Sequence, residues 1–258
     1  MTQKPMNSFF TTVLAGLLCN VTISALADDL VELPRDLEIE LALSALPESL
    51  QDGATIYVRD PEIGFVLYRE GTNKFTTFVA RTSVRFYEAD WDYAYPSDHL
   101  IPIAYDRVGA EHHMVAWFDL ERMRVQGVSP DEVKKILRQR FTDGTYQAPD
   151  EGGLSYMFAP IHRAYGAPAE SSELITVSFP HYMPYAPFVI PSQLGSMDPH
   201  GRAGILDHGG HNAGPHGYLY FMVPPDQGDA IRTKYAILLD HLCTLHANWC
   251  LPDLQESQ

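Results

Sequence analysis

Residues 207–218, DHGGHNAGPHGY, put three histidines and an aspartate among four glycines and a proline. Imidazoles at that density suit metal ligation or acid–base chemistry, or they are simply the polar groups of a turn. The wider region shares the bias, because six of the eleven histidines fall between residues 162 and 216. Four stretches there, SYMFAPIH, FPHYMPYAPF, MDPHGRAG and the opening twelve residues, supply imidazole, phenol, thioether and carboxylate. Neutral imidazole suits zinc, copper, iron and nickel, and thioether adds a preference for reduced copper.

Backbone stiffness separates these candidates. In FPHYMPYAPF (179–188) three prolines fix torsions, and an extended chain then projects His181, Met183 and Tyr185 to one side. The competing account is an edge segment whose aromatics pack on the core while His181 bonds a carbonyl. His216 follows Pro215 at the start of an apolar run, whereas His208 and His211 sit on glycine-rich backbone that cannot preset ligand positions. The expected metal set is therefore His162, His181 and His216, with His208 and His211 as looser candidates. Tyr156, Met183 and Tyr185 are expected to line the same site. Zinc or copper is the expected ion, and a small polar ligand is the alternative occupant. If the site turns over, metal-bound water attacking an ester or amide is the simplest chemistry. The remaining alternative is a cell-envelope interaction protein whose histidines are incidental.

Established catalytic patterns are missing. There is no H-E-x-x-H, and Glu111-His112-His113 has the wrong spacing for one. HGG at 208–210 lacks an accompanying G-x-S-x-G elbow, and no P-loop or dinucleotide fingerprint occurs. Nucleotide cofactors are not expected.

The elements that must carry these groups are arranged in blocks. RDLEIELALSAL (35–46) reads as a helix stopped by Pro47. ATIYVRD, GFVLYREG and KFTTFVART, separated by turn signals, read as three strands of an antiparallel meander. GAEHHMVAWFDLERMRVQG then reads as a helix closed by Gly127. It is followed by SPDEVKKILRQRF, with Ser129 as cap, Pro130 in the first turn and Glu132 three residues after the serine. Strand character returns in LSYMFAP, ELITVSFP and HGYLYFMVP, and the chain closes with an amphipathic helix over 228–248, either part of the domain or an appended element. Blocks rather than alternation predict an α+β fold: a mostly antiparallel sheet, a central helical hairpin and a C-terminal helix in a single domain, 28–258.

The N-terminus addresses the compartment. Lys4 precedes the apolar FFTTVLAGLLCNV, and Ala25-Leu26-Ala27 has the small-x-small form read by signal peptidase, so residues 1–27 are expected to be a signal peptide. Leu17 and Leu18 before Cys19 do not match a lipobox. A periplasmic or secreted protein is expected, with no membrane insertion after cleavage. The formal charge of −15 disfavours nucleic acid and anionic lipid as partners. Beyond the leader only Cys243 and Cys250 remain, which in an exported chain suggests a disulfide; free or metal-bound thiols are the alternative. Seven residues of continuous helix would hold the two about 10 Å apart, so a bond requires the helix to end near Ala247-Asn248.

SYM (155–157), PHYMPYAP (180–187) and GPHGY (214–218), preceded by DGATIYV and GTNKFT, together resemble a group of functionally uncharacterised exported bacterial proteins. The resemblance spans most of the chain to about Pro225. It implies an exported domain and transfers no activity.

Overall fold

The computed structural model describes residues 30–84, 94–166, 172–190, 193, 203–206 and 214–252. The expected leader with Cys19, and His200, His208 and His211, lie outside these residues.

Helix α1 (Arg35–Ser44) starts after Pro34 with Asp36 and Glu38 in its first turn, where the helix dipole favours acidic groups; it ends before Pro47, and a short α2 (Glu48–Gln51) follows. Strands β1 (Thr55–Asp60), β2 (Gly64–Arg69) and β3 (Thr76–Ala80) form where the alternation of β-branched and aromatic residues places them. The meander does not. β1 and β2 form an antiparallel hairpin, but β3 runs parallel to β1 on its other side. Every residue of β3 is buried, whereas β2 leaves Leu67 and Tyr68 exposed. A strand that is apolar on both faces needs neighbours and covering layers on both, so β3 takes an inner position and β2 the edge.

β4 (Ile101–Tyr105), likewise fully buried, pairs with β3. The expected single helix after it is two: α3 (Arg107–His112), capped by the Asp106 carboxylate, and α4 (Met114–Val125). Buried His113 sits at the break, and Gly127 (φ 74°) turns the chain after α4. α5 (Pro130–Thr142) has the expected cap: Ser129 Oγ accepts from the Glu132 amide at 3.4 Å. Val133 and Leu137 are its buried stripe.

Strands β5 (Leu154–Met157), β6 (His162–Tyr165), β7 (Leu174–Val177), β8 (His181–Pro184), β9 (Ala203–Leu206) and β10 (Tyr218–Met222) complete the β structure. The main sheet has the order β2-β1-β3-β4-β5-β8-β10-β9, antiparallel except at β1–β3, and β6–β7 form a separate hairpin. The fold is α+β with a mostly antiparallel sheet. The segment expected as a possible edge, β8, is interior, hydrogen-bonded to β5 on one side and β10 on the other.

Two apolar layers enclose the sheet. On one face Phe78, Ile103, Trp117, Leu120, Val133 and Leu137 pack the sheet against α4 and α5. On the other, Leu41, Val79, Leu238, Leu242 and Trp249 pack it against α1 and the C-terminal helices. Those are α6 (Pro225–Lys234) and α7 (Ala236–Leu245), followed by a 3-10 turn at Ala247–Trp249. The expected single helix over 228–248 is thus two, broken at Tyr235, and the second ends at Leu245, short of Ala247-Asn248. The tightened turn brings Cys243 and Cys250 to a Cα separation of 4.4 Å, where they form a disulfide. Among the described residues no helix is long and apolar enough to cross a membrane.

Candidate functional site

β5, β8 and β10 lie side by side, so their alternation selects which groups share a face. Opposed pairs across β5–β8 are Ser155–Met183, Tyr156–Tyr182 and Met157–His181. Met157, His181 and Met183 therefore point to the face that carries α4, together with Tyr218 and Tyr220 from β10. The β6–β7 hairpin stands over this patch and adds His162. Between hairpin, sheet and Trp117 of α4 lies a cavity of about 350 Å³.

Its wall is mainly aliphatic and aromatic. Among the described lining residues there is no carboxylate, amine or guanidinium; their polar side-chain groups are imidazole, phenol, hydroxyl, indole and thioether. The rings of His162 and His181 are 5.9 Å apart, and both residues are buried. His181 Nδ1 lies 2.6 Å from the Phe179 carbonyl, which fixes the ring and leaves Nε2 for another partner. His162 is different. Neither of its nitrogens completes a hydrogen bond of normal geometry, and the group facing it is the Pro102 carbonyl. Burial pushes His162 down to about 3 and His181 to about 4, so both imidazoles are neutral at ordinary pH.

The remaining expected residues divide clearly. Met183 is on the cavity wall. Tyr185 is on the same face of the sheet but one step beyond the cavity, where its hydroxyl donates to Asp106 Oδ1 at 3.0 Å and its ring packs on His113. Tyr156 points to the opposite face, against Phe75 and Phe158 beneath α1 and α2. His216 does not join His162 and His181: its Nε2 lies 2.9 Å from the Tyr146 carbonyl, and its ring faces His113 at 5.6 Å. Proline-stiffened backbone does aim His216 inward, but into a separate aromatic cluster. Among the described residues no three histidine, cysteine, aspartate or glutamate side chains converge on a point suited to a metal ion.

Met157, Trp117, Tyr218 and Tyr220 line the cavity without having been singled out from the sequence. Alternation along LSYM separates Met157 from Tyr156, but only the pairing of β5 with β8 decides which of them meets His181. Tyr218 links the two histidine groups. It lies on the cavity wall, its hydroxyl interacts with that of Tyr105, and its ring contacts His113 at 4.5 Å. The Tyr105 oxygen also accepts from Trp117 Nε1 at 2.7 Å, which holds the cavity floor rigid.

A second cavity, of about 380 Å³, lies against residues 30–33 and is lined by Arg35, Glu38, Arg59 and Arg81. These charges are bonded within the protein. The Arg59 amide donates to Glu38 at 2.6 Å, Arg59 Nε to Glu121 at 2.5 Å, and Arg81 Nε to the His99 carbonyl at 2.6 Å. They account for themselves as structure.

Comparisons with protein-family models, with curated proteins and with solved structures found no match to this chain.

Proposed function

We propose that the protein is an exported binding protein, periplasmic or secreted, whose ligand is a transition metal ion or a small neutral molecule taken up between His162 and His181. The observation that carries this reading is His162. It is a buried imidazole that faces the Pro102 carbonyl alone, so one ring nitrogen is left without a partner in the wall of a mostly apolar cavity. A buried polar group without a partner costs about 1–3 kcal/mol, and a ligand that meets it recovers that cost. The volume lies within the roughly 300–1,000 Å³ usual for small-ligand sites, and a few polar groups in an apolar wall are their usual composition. Export is supported by the leader-like residues 1–27 and by the disulfide, which persists in oxidising compartments.

Thermal melting of the protein expressed without its leader tests the reading, with a panel of zinc, copper(I), silver(I), p-cresol and indole. At least one probe is expected to raise the melting temperature of the wild type and to leave His162→Phe unmoved. A saturating ligand at 100 times its Kd adds about 2.7 kcal/mol, well within detection. If no probe raises it, the reading is wrong.

A further inference from the structure

The geometry points to one occupant of this cavity: a soft monovalent metal ion, Cu(I), held by the imidazoles of His162 and His181 and the thioethers of Met157 and Met183. This inference rests on the reading of the cavity as a binding site and names its ligand.

Four observations support it. The first is spacing. With metal–nitrogen bonds of roughly 2 Å, two imidazoles on one ion have centres about 5–6 Å apart. The centres of His162 and His181 are separated by 5.9 Å.

The second is the support behind His181. Histidines that bind metals use one nitrogen for the ion and anchor the other on a carbonyl or carboxylate, which fixes tautomer and ring orientation. His181 is anchored in this manner through Nδ1 on the Phe179 carbonyl. His162 has the Pro102 carbonyl before one nitrogen, which leaves the other open to the same ion.

The third is the placement of sulfur. Met157 is the residue directly opposite His181 across the β5–β8 ladder, and Met183 is two residues along β8, on the same face. All four donors are on the wall of one cavity.

The fourth is charge. A divalent ion here would be left without a counter-charge in a low-dielectric space, because the described wall has no carboxylate and no thiolate. Zinc favours histidine with cysteine or carboxylate, whereas thioether with imidazole favours Cu(I), whose single charge is the least costly to bury. The two thiols of the C-terminal helix are tied in the disulfide and do not compete.

The test uses the leaderless protein with its disulfide intact, under anaerobic conditions with ascorbate. Cu(I) is titrated against a chromogenic Cu(I) chelator. Ag(I), a redox-inert substitute, is followed by NMR of methionine labelled at its methyl carbon. The expected result is one equivalent of Cu(I), with two methionine methyl signals moved by Ag(I) and assigned through Met157→Leu and Met183→Leu. His162→Phe and His181→Phe are each expected to lose more than about 100-fold in affinity, beyond the 10–100-fold usual for outer-shell partners. The NMR readout is made on the wild type and does not depend on any variant folding. Binding that leaves the signals of Met157 and Met183 unmoved overturns the proposal, as does the absence of Cu(I) and Ag(I) binding by folded wild type. If p-cresol or indole raises the melting temperature and the metals do not, the copper assignment falls and the binding site stands. If no probe acts, both fall.

Discussion

Asp98 and Arg163 form a largely buried ion pair, Arg163 Nε to Asp98 Oδ2 at 2.7 Å, that ties the β6–β7 hairpin to the segment leading into β4. Asn248 Nδ2 donates to the same oxygen at 2.7 Å, and Trp249 Nε1 donates to the Asp98 carbonyl at 2.7 Å. One residue thus joins the sheet, the cavity's outer wall and the disulfide-closed turn. Burial opposes ionisation of Asp98, but hydrogen bonds from Asn248 and Arg163 outweigh it and hold the carboxyl below its ordinary value. Asp98→Ala is expected to cost about 3–5 kcal/mol in urea unfolding, because it leaves the Arg163 guanidinium in the interior without its carboxylate. Asp98→Asn, which keeps hydrogen-bonding groups in place, should cost less. A loss under about 1 kcal/mol for the alanine variant would show that the hairpin is held by apolar packing instead.

Acid should weaken the fold before the carboxylates titrate. Burial pushes His99 and His162 down to about 3, His181 to about 4, and His113 well below its usual value. Between pH 6.5 and these values the unfolded chain takes up protons that the folded chain refuses, so stability falls as pH falls. Glu38 acts in the opposite sense. Burial raises it to about 7, and its contribution declines as pH rises from 4.5 to 7. Four imidazoles outnumber one carboxyl, and each uncompensated group contributes up to about 1.4 kcal/mol per pH unit. The urea midpoint is expected to be lower at pH 5.5 than at pH 7.5; an equal or higher midpoint would contradict the burial of these rings.

The disulfide closes a turn of eight residues, Cys243 to Cys250. Loop-closure entropy for that length corresponds to about 2.5 kcal/mol at 25 °C. The double substitution Cys243→Ser, Cys250→Ser should lower unfolding stability by that order in denaturant melts. Trp249, fully buried beside the bond, makes fluorescence a direct probe. No change would place the restraint in the packing of Trp249 alone.

Gly109 of α3 sits where a methyl group would strike the Tyr185 hydroxyl and the Tyr105 ring. Gly109→Ala is a helix-favouring change by intrinsic propensity, worth roughly 1 kcal/mol of stabilisation on an open surface. Here overpacking should reverse the sign and cost about 1–3 kcal/mol, because both tyrosines are hydrogen-bonded in place. A stabilised variant in thermal melts would mean that this aromatic block yields.

Local chemistry was legible before any coordinates. The cap at Ser129, the stop before Pro47, the three N-terminal strands and the pairing of Cys243 with Cys250 follow from residue type and short spacing, because turns, caps and propensities act within a few residues. The common face of His181 and Met183 was legible for the same reason, since alternation in an extended segment is a local rule. Pairing was not. That β3 lies parallel beside β1, that β8 is interior, and that Met157 rather than Tyr156 opposes His181 depend on strands distant in sequence. No residue on either strand encodes its neighbour's register by itself.

The histidine region shows the same division. Composition concentrated imidazole between residues 162 and 216, and that much belongs to the sequence. Pairing His162 with His181 in the cavity, and His216 with His113 from outside that region, required β6 to fold over the sheet while the turn before β10 carried His216 to α5 and the α3–α4 break. A chain states which groups it owns and how each short segment bends. Which of those groups meet is settled by long-range burial, because only the assembled sheet and its two apolar layers fix where each segment lies.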